Sequence, residues 1–413
     1  MKRDPSFPRL HGRPPQGWLN DPHGCVRVDG RYHVFFQHNP DEPRHAAIKW
    51  GHMSSADLAH WEPEPIALVN RPGELDAAGC WTGSVVDDGG TPTAVYSAVA
   101  NGDERSVVLV ARGDRALRTW EQGRAPAFGA PADPAVTHAR DPFVFAFEGR
   151  RYALQGAGSY VRGGAARVLV YACDDLDAWT ELGPLVSAQD DPAAAELAPA
   201  DVWECPNLFP LGDRWVLLVS LWYREGGGAH DVRYLVGDLE ATAAGPRFRA
   251  ERGGRLDRGP CFYAPQVLRD GDRTLVWGWA RERRSAAEIA AAGWAGTLTF
   301  CRELRLLDGV VASVPVPELD VLRARPLAVD WPFRAHAFDL DVAGPARRAS
   351  LWLDDVAVAE FAAPARVLVD GSIVEVFDGP APFTTRAYPT AASRWRLRLE
   401  RPGRVEAWTL GRR

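Results

Sequence analysis

The sequence predicts an all-β protein, a five-bladed β-propeller over residues 1–318 followed by a small β-sandwich over residues 319–413. Three observations carry that prediction. The first is a succession of short β-prone runs: Tyr32-His33-Val34-Phe35-Phe36, Thr93-Ala94-Val95-Tyr96-Ser97, Ser106-Val107-Val108-Leu109-Val110 and Arg214-Trp215-Val216-Leu217-Leu218-Val219. Asp-Gly, Gly-Gly, Gly-Asp and Pro-Gly pairs at their flanks signal hairpins. The second is a loose repeat, "strand, Asp-Leu, x-x-Trp", at Asp57-Leu58-Ala59-His60-Trp61 and Asp175-Leu176-Asp177-Ala178-Trp179, with a weaker echo at Arg115-Ala116-Leu117-Arg118-Thr119-Trp120. Units of about 60 residues, each holding several strands, are the mark of propeller blades, and roughly 300 residues make about five of them. A set of β-sandwiches is the competing reading of the same pattern. The third is a change of texture at Val314-Pro315-Val316-Pro317. Alternating strands continue beyond it, as in Arg366-Val367-Leu368-Val369-Asp370-Gly371-Ser372-Ile373-Val374-Glu375-Val376-Phe377, without a further catalytic motif.

Helical periodicity is scarce. Residues 285–292 form the best helical window, and shorter Ala-rich stretches lie at 191–198 and around Ala241. Apolar residues make up 46% of the 413-residue chain, enough for a sizeable core. The 16 Trp and 16 Phe mostly fill such a core, although a flat indole face also suits a sugar ring.

The net charge of −6 comes with no basic block, so no nucleic-acid partner is expected. Lys2 and Lys49 are the only lysines, a sign of base composition rather than function. No apolar run follows Lys2-Arg3, as a secretion signal requires, and no stretch reaches the roughly 18 apolar residues of a membrane helix. Cys25, Cys80, Cys173, Cys205, Cys261 and Cys301 are scattered without a CxxC pair or a His/Cys cluster. They read as reduced, buried residues, not as a disulfide frame or zinc site. A cytoplasmic enzyme without a membrane partner is the expectation. Nothing in the sequence decides between monomer and homo-oligomer.

Three carboxylates stand in unusually rigid or aromatic settings. Asp21 lies in Gly17-Trp18-Leu19-Asn20-Asp21-Pro22-His23-Gly24, where Pro22 biases the acid's backbone away from α. Asp141 lies in His138-Ala139-Arg140-Asp141-Pro142-Phe143-Val144, beside an Arg able to bind a hydroxyl or carboxylate. Glu204 lies in Val202-Trp203-Glu204-Cys205-Pro206, and an apolar setting raises a carboxyl pKa as a general acid requires. Taken singly, the first two look like surface turns and the third like a buried structural Glu. Together they recur at blade-like intervals near strand starts, and a propeller's innermost strands bring such positions to one central channel. Glycoside hydrolysis needs a carboxyl pair of this kind.

At these motifs the sequence resembles glycoside hydrolase family 32, the invertase, inulinase and levanase family. Residues 18–24 resemble its W-M-N-D-P-N-G segment, Arg140-Asp141-Pro142 its R-D-P motif and Trp203-Glu204-Cys205-Pro206 its W-E-C-P motif. The likeness continues in family order through residues 32–40, Trp50-Gly51-His52, Asp57-Leu58-Ala59-His60-Trp61 and Trp81-Thr82-Gly83-Ser84. Beyond these it includes Phe262-Tyr263-Ala264-Pro265-Gln266, Trp277-Gly278-Trp279, Gly293-Trp294-Ala295-Gly296, Arg302-Glu303-Leu304 and residues 369–377.

The resemblance implies a five-bladed propeller with a C-terminal sandwich, and it implies roles. Asp21 is the nucleophile forming a fructosyl-enzyme, Glu204 the general acid/base, and Asp141 the stabiliser of an oxocarbenium-like transition state. Asn20, Gln37, Trp50, Trp81, Thr82, Arg140, Tyr263 and Trp279 match positions lining the fructose subsite. No metal or organic cofactor is needed, because the carboxyl pair supplies proton transfer and bonding. The implied substrate is a small sugar, with release of terminal β-D-fructofuranosyl units from sucrose or short fructooligosaccharides. A fructosyltransferase of the same fold, a related five-bladed hydrolase acting on other furanosides, and a non-catalytic sugar-binding propeller are the rivals. Product analysis at high sucrose separates the first; the W-x-N-D-P and E-C-P contexts argue against the second, and retention of all three acids against the third. Departures from the family pattern are His23 for Asn, Thr82 for Ser, Phe36 for Tyr, Cys301 for Pro and Gly371 for Arg.

Overall fold

The computed structural model describes residues 4–101, 105–160, 164–225, 228–328, 332–344 and 348–411. Among them, antiparallel sheets of four successive strands form five blades. The innermost strands are Gly17–Val28, Gly79–Asp88, His138–Phe147, Val202–Leu211 and Phe262–Asp270. Each packs against the next, and the fifth packs back against the first, so the ring is closed. Closure is reinforced by a stitch from the fifth blade. After Arg273–Ala280 the chain leaves the sheet, and Trp294–Ala295 pairs in parallel with Gly17 and Trp18 of the first blade.

The local chemistry explains these elements. The outer strands bury runs such as Leu217, Leu218 and Val219, and Val34 with Phe35, between neighbouring blades. The Ser285 window is the helix Ala286–Ala292: Ser285 and Glu288 make a reciprocal capping box, and Gly293 ends the helix in the left-handed conformation. The second window is the helix Pro192–Leu197, capped by the Asp191 side chain. The third expectation is corrected. Ala241 lies in the strand Gly228–Thr242, whose hairpin with Gly245–Arg255 supplies partners for its backbone groups. Tertiary pairing overrides the alanines' helix propensity there.

Past the 3-10 helix Pro317–Leu322, two sheets face each other as a sandwich. Phe338, Leu340, Leu351, Val367, Val374 and Trp395 fill the space between them. All six cysteines are free and buried. Among the described residues no helix is long and apolar enough to cross a membrane.

Candidate active site

Every innermost strand carries a bulge at the same level. The pairing register shifts between Asn20 and Pro22, Cys80 and Gly83, Glu204 and Asn207, and Tyr263 and Gln266, and opposite Leu154–Gly156 in the third blade. In four blades the bulged residue precedes a proline and takes a positive φ: Asp21 (21°), Asp141 (63°), Cys205 (47°) and Ala264 (45°). Bulges re-aim side chains and are common beside active sites. A non-glycine residue held in this region is strained, a condition concentrated at functional sites. The second blade differs: no residue at its bulge takes a positive φ, and Gly83 stands where the others have proline, with an added Cβ there lying 2.0 Å from the Val95 carbonyl oxygen.

The two residues at each bulge include most of the sequence-predicted set: Asn20-Asp21, Trp81-Thr82, Arg140-Asp141, Glu204-Cys205 and Tyr263-Ala264. Asp21 is 9% exposed. Its Oδ2 accepts hydrogen bonds from Gln37 Nε2 (3.0 Å) and Thr82 Oγ1 (2.9 Å). Asn20 also hydrogen-bonds Asp21, and Trp18 Nε1 holds the Asn20 amide oxygen at 2.6 Å. Burial, followed by the charge of Glu204, raises the Asp21 pKa to about 6 despite these donors.

Asp141 is held from below and behind. Its Oδ2 accepts from the Cys205 backbone N–H (3.0 Å) and Cys205 Sγ (3.5 Å), and its own N–H donates to Ser97 Oγ (2.8 Å). Burial raises its pKa; Arg140 opposes the shift, while Glu204 and Asp21 add to it.

Glu204 does not sit in the apolar pocket that its sequence neighbours suggest. Arg140 Nε and Nη2 both bind Oε1 (3.1 and 2.6 Å), and the Tyr263 hydroxyl donates to Oε2. The same hydroxyl reaches the Leu221 carbonyl at 3.1 Å. Trp203 points the other way, fully buried in the fourth blade. Strand alternation separates the two side chains.

Trp81 and Trp279 are half-buried, and Trp279 meets Trp18 edge-on with centroids 5.8 Å apart. Trp50 does not line the cleft. It is fully buried, and its Nε1 donates to the Trp81 carbonyl (2.9 Å), fixing Trp81 from behind. His23 is also fully buried, its ring tilted against Trp50 with centroids 4.2 Å apart, and burial lowers its pKa to about 3. It is therefore a neutral packing residue at working pH.

His45 escapes notice in the sequence. It lies on the connection from residues 31–39 to residues 49–55, where no strand pattern marks it. Its Nε2 lies 2.8 Å from Gln37 Oε1, and its ring meets Trp18 and Trp81 edge-on. Because Gln37 Nε2 is committed to Asp21 and Thr82, its oxygen must face His45, which makes His45 Nε2 the donor. Ser97 and Cys205 likewise hold Asp141 through contacts that no sequence pattern reveals.

Paired acids converging on the inner strands of a propeller are the arrangement that carboxyl-based cleavage of carbohydrates uses. The chain belongs to glycoside hydrolase family 32: the family model "Glycosyl hydrolases family 32 N-terminal domain" matches residues 11–315. A sucrose-6-phosphate hydrolase of Escherichia coli is 34% identical over 330 residues, 77% of this chain and 66% of that protein. A raffinose invertase of Escherichia coli is 30% identical over 445 residues, covering 94% of this chain and 90% of that one. A Bombyx mori GH32 β-fructofuranosidase shares the fold with a TM-score of 0.82 at 23% identity, over 99% of this chain and 94% of that one.

Proposed function

We propose that the protein releases terminal β-D-fructofuranosyl units from sucrose or short fructooligosaccharides with retention, through a covalent fructosyl-enzyme. The observation that carries this reading is the convergence of Asp21, Asp141 and Glu204 from three blades, close enough that each aspartate's proton affinity depends on Glu204. The names borne by the relatives, sucrose-6-phosphate hydrolase and raffinose invertase, point to the same bond.

In the proposed reaction an Asp21 carboxylate oxygen bonds to C2 of the fructosyl unit while the C2–oxygen bond to the leaving sugar breaks. Glu204 gives its proton to that oxygen. Glu204 then takes a proton from water as the water oxygen displaces Asp21 from C2. Asp141 accepts hydrogen bonds from fructosyl hydroxyls and stabilises positive charge developing at C2. Arg140 and Tyr263 fix the Glu204 carboxyl; Gln37 and Thr82 fix that of Asp21. The catalytic unit in this proposal is residues 1–318, with residues 319–413 as its support. Six unpaired, buried cysteines support a reducing compartment, hence the cytoplasm.

Asp21→Ala and Glu204→Ala, assayed on sucrose with product analysis by NMR, test the proposal. Each variant is expected to remain folded and lose at least about 1,000-fold in kcat. Near-wild-type turnover in either, or release of fructose with inverted C2 configuration, rules the assignment out.

A further inference from the structure

The cleft has a second wall that no catalytic role uses. On the third blade's inner strand, His138 stands two residues before Arg140; on the fourth, Val202 stands two before Glu204. Val202 pairs with Trp222 and Glu204 with Ser220 on the adjoining strand. Alternation therefore puts Glu204, Ser220 and Trp222 on one face of the fourth blade, and His138 on the Arg140 face of the third. The two blades pair through Gly158 and Val202 at this end, so these faces are continuous, and the Arg140–Glu204 bond spans them. One pleat repeat away, about 7 Å along the strands, three rings cluster. Tyr160 and Trp222 stack with centroids 4.9 Å apart at 25°, and His138 lies 3.7 Å from Tyr160. His138 is buried, whereas Tyr160 and Trp222 are only half-buried.

We propose that Tyr160 and Trp222 form the platform on which the departing sugar stacks, and that this sugar is an uncharged pyranose. The inference rests on Glu204 being the group that protonates the leaving oxygen, since that places the leaving sugar on the Glu204 side of the cleft. An aromatic ring presents a flat apolar face of the size a pyranose C–H face covers. The charges beside the platform argue against a phosphorylated sugar. Arg224 lies 5.9 Å from the Tyr160 ring and donates to the Tyr160 carbonyl. Its own backbone N–H is held by the Asp201 carboxylate, and Glu225 follows it in the chain. Arg140 is already bound to Glu204. Among the described residues, one guanidinium, itself bonded to the Tyr160 carbonyl, against two neighbouring carboxylates is not the Arg cluster that phosphate recognition uses.

The test compares two fructosides in the full-length enzyme: sucrose, and methyl β-D-fructofuranoside, whose leaving group is too small to reach the platform. Trp222→Ala and Tyr160→Ala are each expected to lower kcat/KM on sucrose about tenfold or more, mainly through KM, and to leave methyl fructoside within about twofold. Trp222→Phe, which keeps a ring face, restores most of the sucrose activity. Wild-type enzyme is expected to prefer sucrose over sucrose-6-phosphate. Equal losses on both fructosides, unchanged sucrose kinetics, or a preference for sucrose-6-phosphate that Arg224→Ala abolishes overturns the proposal. Wild-type enzyme that cleaves neither fructoside overturns the fructosidase reading itself, and the platform with it.

Discussion

Asp21 and Asp141 occupy equivalent bulges of their blades, and their neighbours alone separate them. Asp21 takes side-chain donors from Gln37 and Thr82, while Asp141 takes a backbone N–H and a thiol from Cys205. Because burial and Glu204 raise Asp21 to about 6, the proposed nucleophile is largely protonated below that pH in the free enzyme. The acid limb of kcat/KM is therefore expected near pH 6, and it should move down in Glu204→Gln, measured on whatever residual activity that variant keeps. An acid limb at the ordinary carboxylate value in the wild type contradicts this account of Asp21. The raised value also has a stability consequence. A carboxyl whose pKa rises from 3.8 to about 6 on folding is penalised whenever it is ionised, by up to about 3 kcal/mol above pH 6. Asp21→Asn is thus expected to be inactive yet more stable than the wild type at pH 7.5. The gain should shrink as the pH falls from 6 towards 4, where the wild-type carboxyl is protonated in both states. Thermal melts of both proteins across that range show whether it does. Tyr263→Phe separates holding from chemistry: it removes the hydroxyl bound to Glu204 and should cut kcat about 10- to 100-fold while KM stays close to wild type.

Each blade supplies two side chains at its bulge, and that arrangement explains what the sequence reveals and what it hides. Asp21, Asp141 and Glu204 are legible because a proline follows the bulged residue and leaves a short motif. Thr82-Gly83 uses glycine instead, and only close backbone approach shows why: Gly83→Ala puts a methyl carbon 2.0 Å from Val95 O. That substitution is expected to cost about 3 kcal/mol or more in urea unfolding, because the blocking atom is backbone and cannot rotate away. Gly129→Ala is the control, since nothing lies within 4 Å of its Cβ and its φ is not positive. The Asp-Leu-x-x-Trp repeat is the link from third to fourth strand in the first three blades, with Leu58, Leu117 and Leu176 buried beneath it. The fourth and fifth blades replace it with tight turns at 242–245 and 307–310, so the repeat appears three times in a five-bladed ring. Trp50 is expected from the sequence to line the subsite and His45 draws no expectation, for a related reason. An indole can fill a core or face a sugar, and a loop residue such as His45 carries no periodicity; in each case a partner distant in sequence decides. Gly371, where the family has Arg, has a φ of +57°, and an added Cβ would meet Ser6 O at 2.7 Å, so the N-terminal arm occupies the space a side chain needs.

That arm also binds the whole molecule together. His11 lies fully buried between two sandwich carboxylates, with Nδ1 3.0 Å from Asp370 and Nε2 3.0 Å from Glu375. Asp370 also accepts the backbone N–H groups of Arg9, Leu10 and His11. Arg302, from the fifth blade, bridges Glu375 and Asp257 with no exposure to solvent. Burial disfavours every charge here, but mutual pairing outweighs it. His11 is raised above 6.5, Glu375 falls to about 2, and Asp370 falls far below the carboxylate range. The carboxylates' contribution to stability is present above their unfolded values near 4 and fades as the pH drops towards 2. The His11 contribution is whole below 6.5 and fades as the pH rises through its raised value. The stability lost in His11→Gln should therefore be largest between about pH 5 and 6.5 and smaller at alkaline pH. Breaking a buried pair leaves an uncompensated charge, so Arg302→Met is expected to destabilise by about 3–5 kcal/mol, although it touches no catalytic group. The same network is expected to make the two parts inseparable in function. Residues 1–318 expressed alone keep His11, Arg302 and Asp257 but lose Asp370 and Glu375, which leaves two cations facing one carboxylate on a freshly exposed apolar surface. That fragment is expected to be inactive on sucrose and to show no cooperative thermal transition. A fragment that melts cooperatively and turns over sucrose would mean that the propeller holds its cleft without the sandwich, and that the buried charges serve only to attach it.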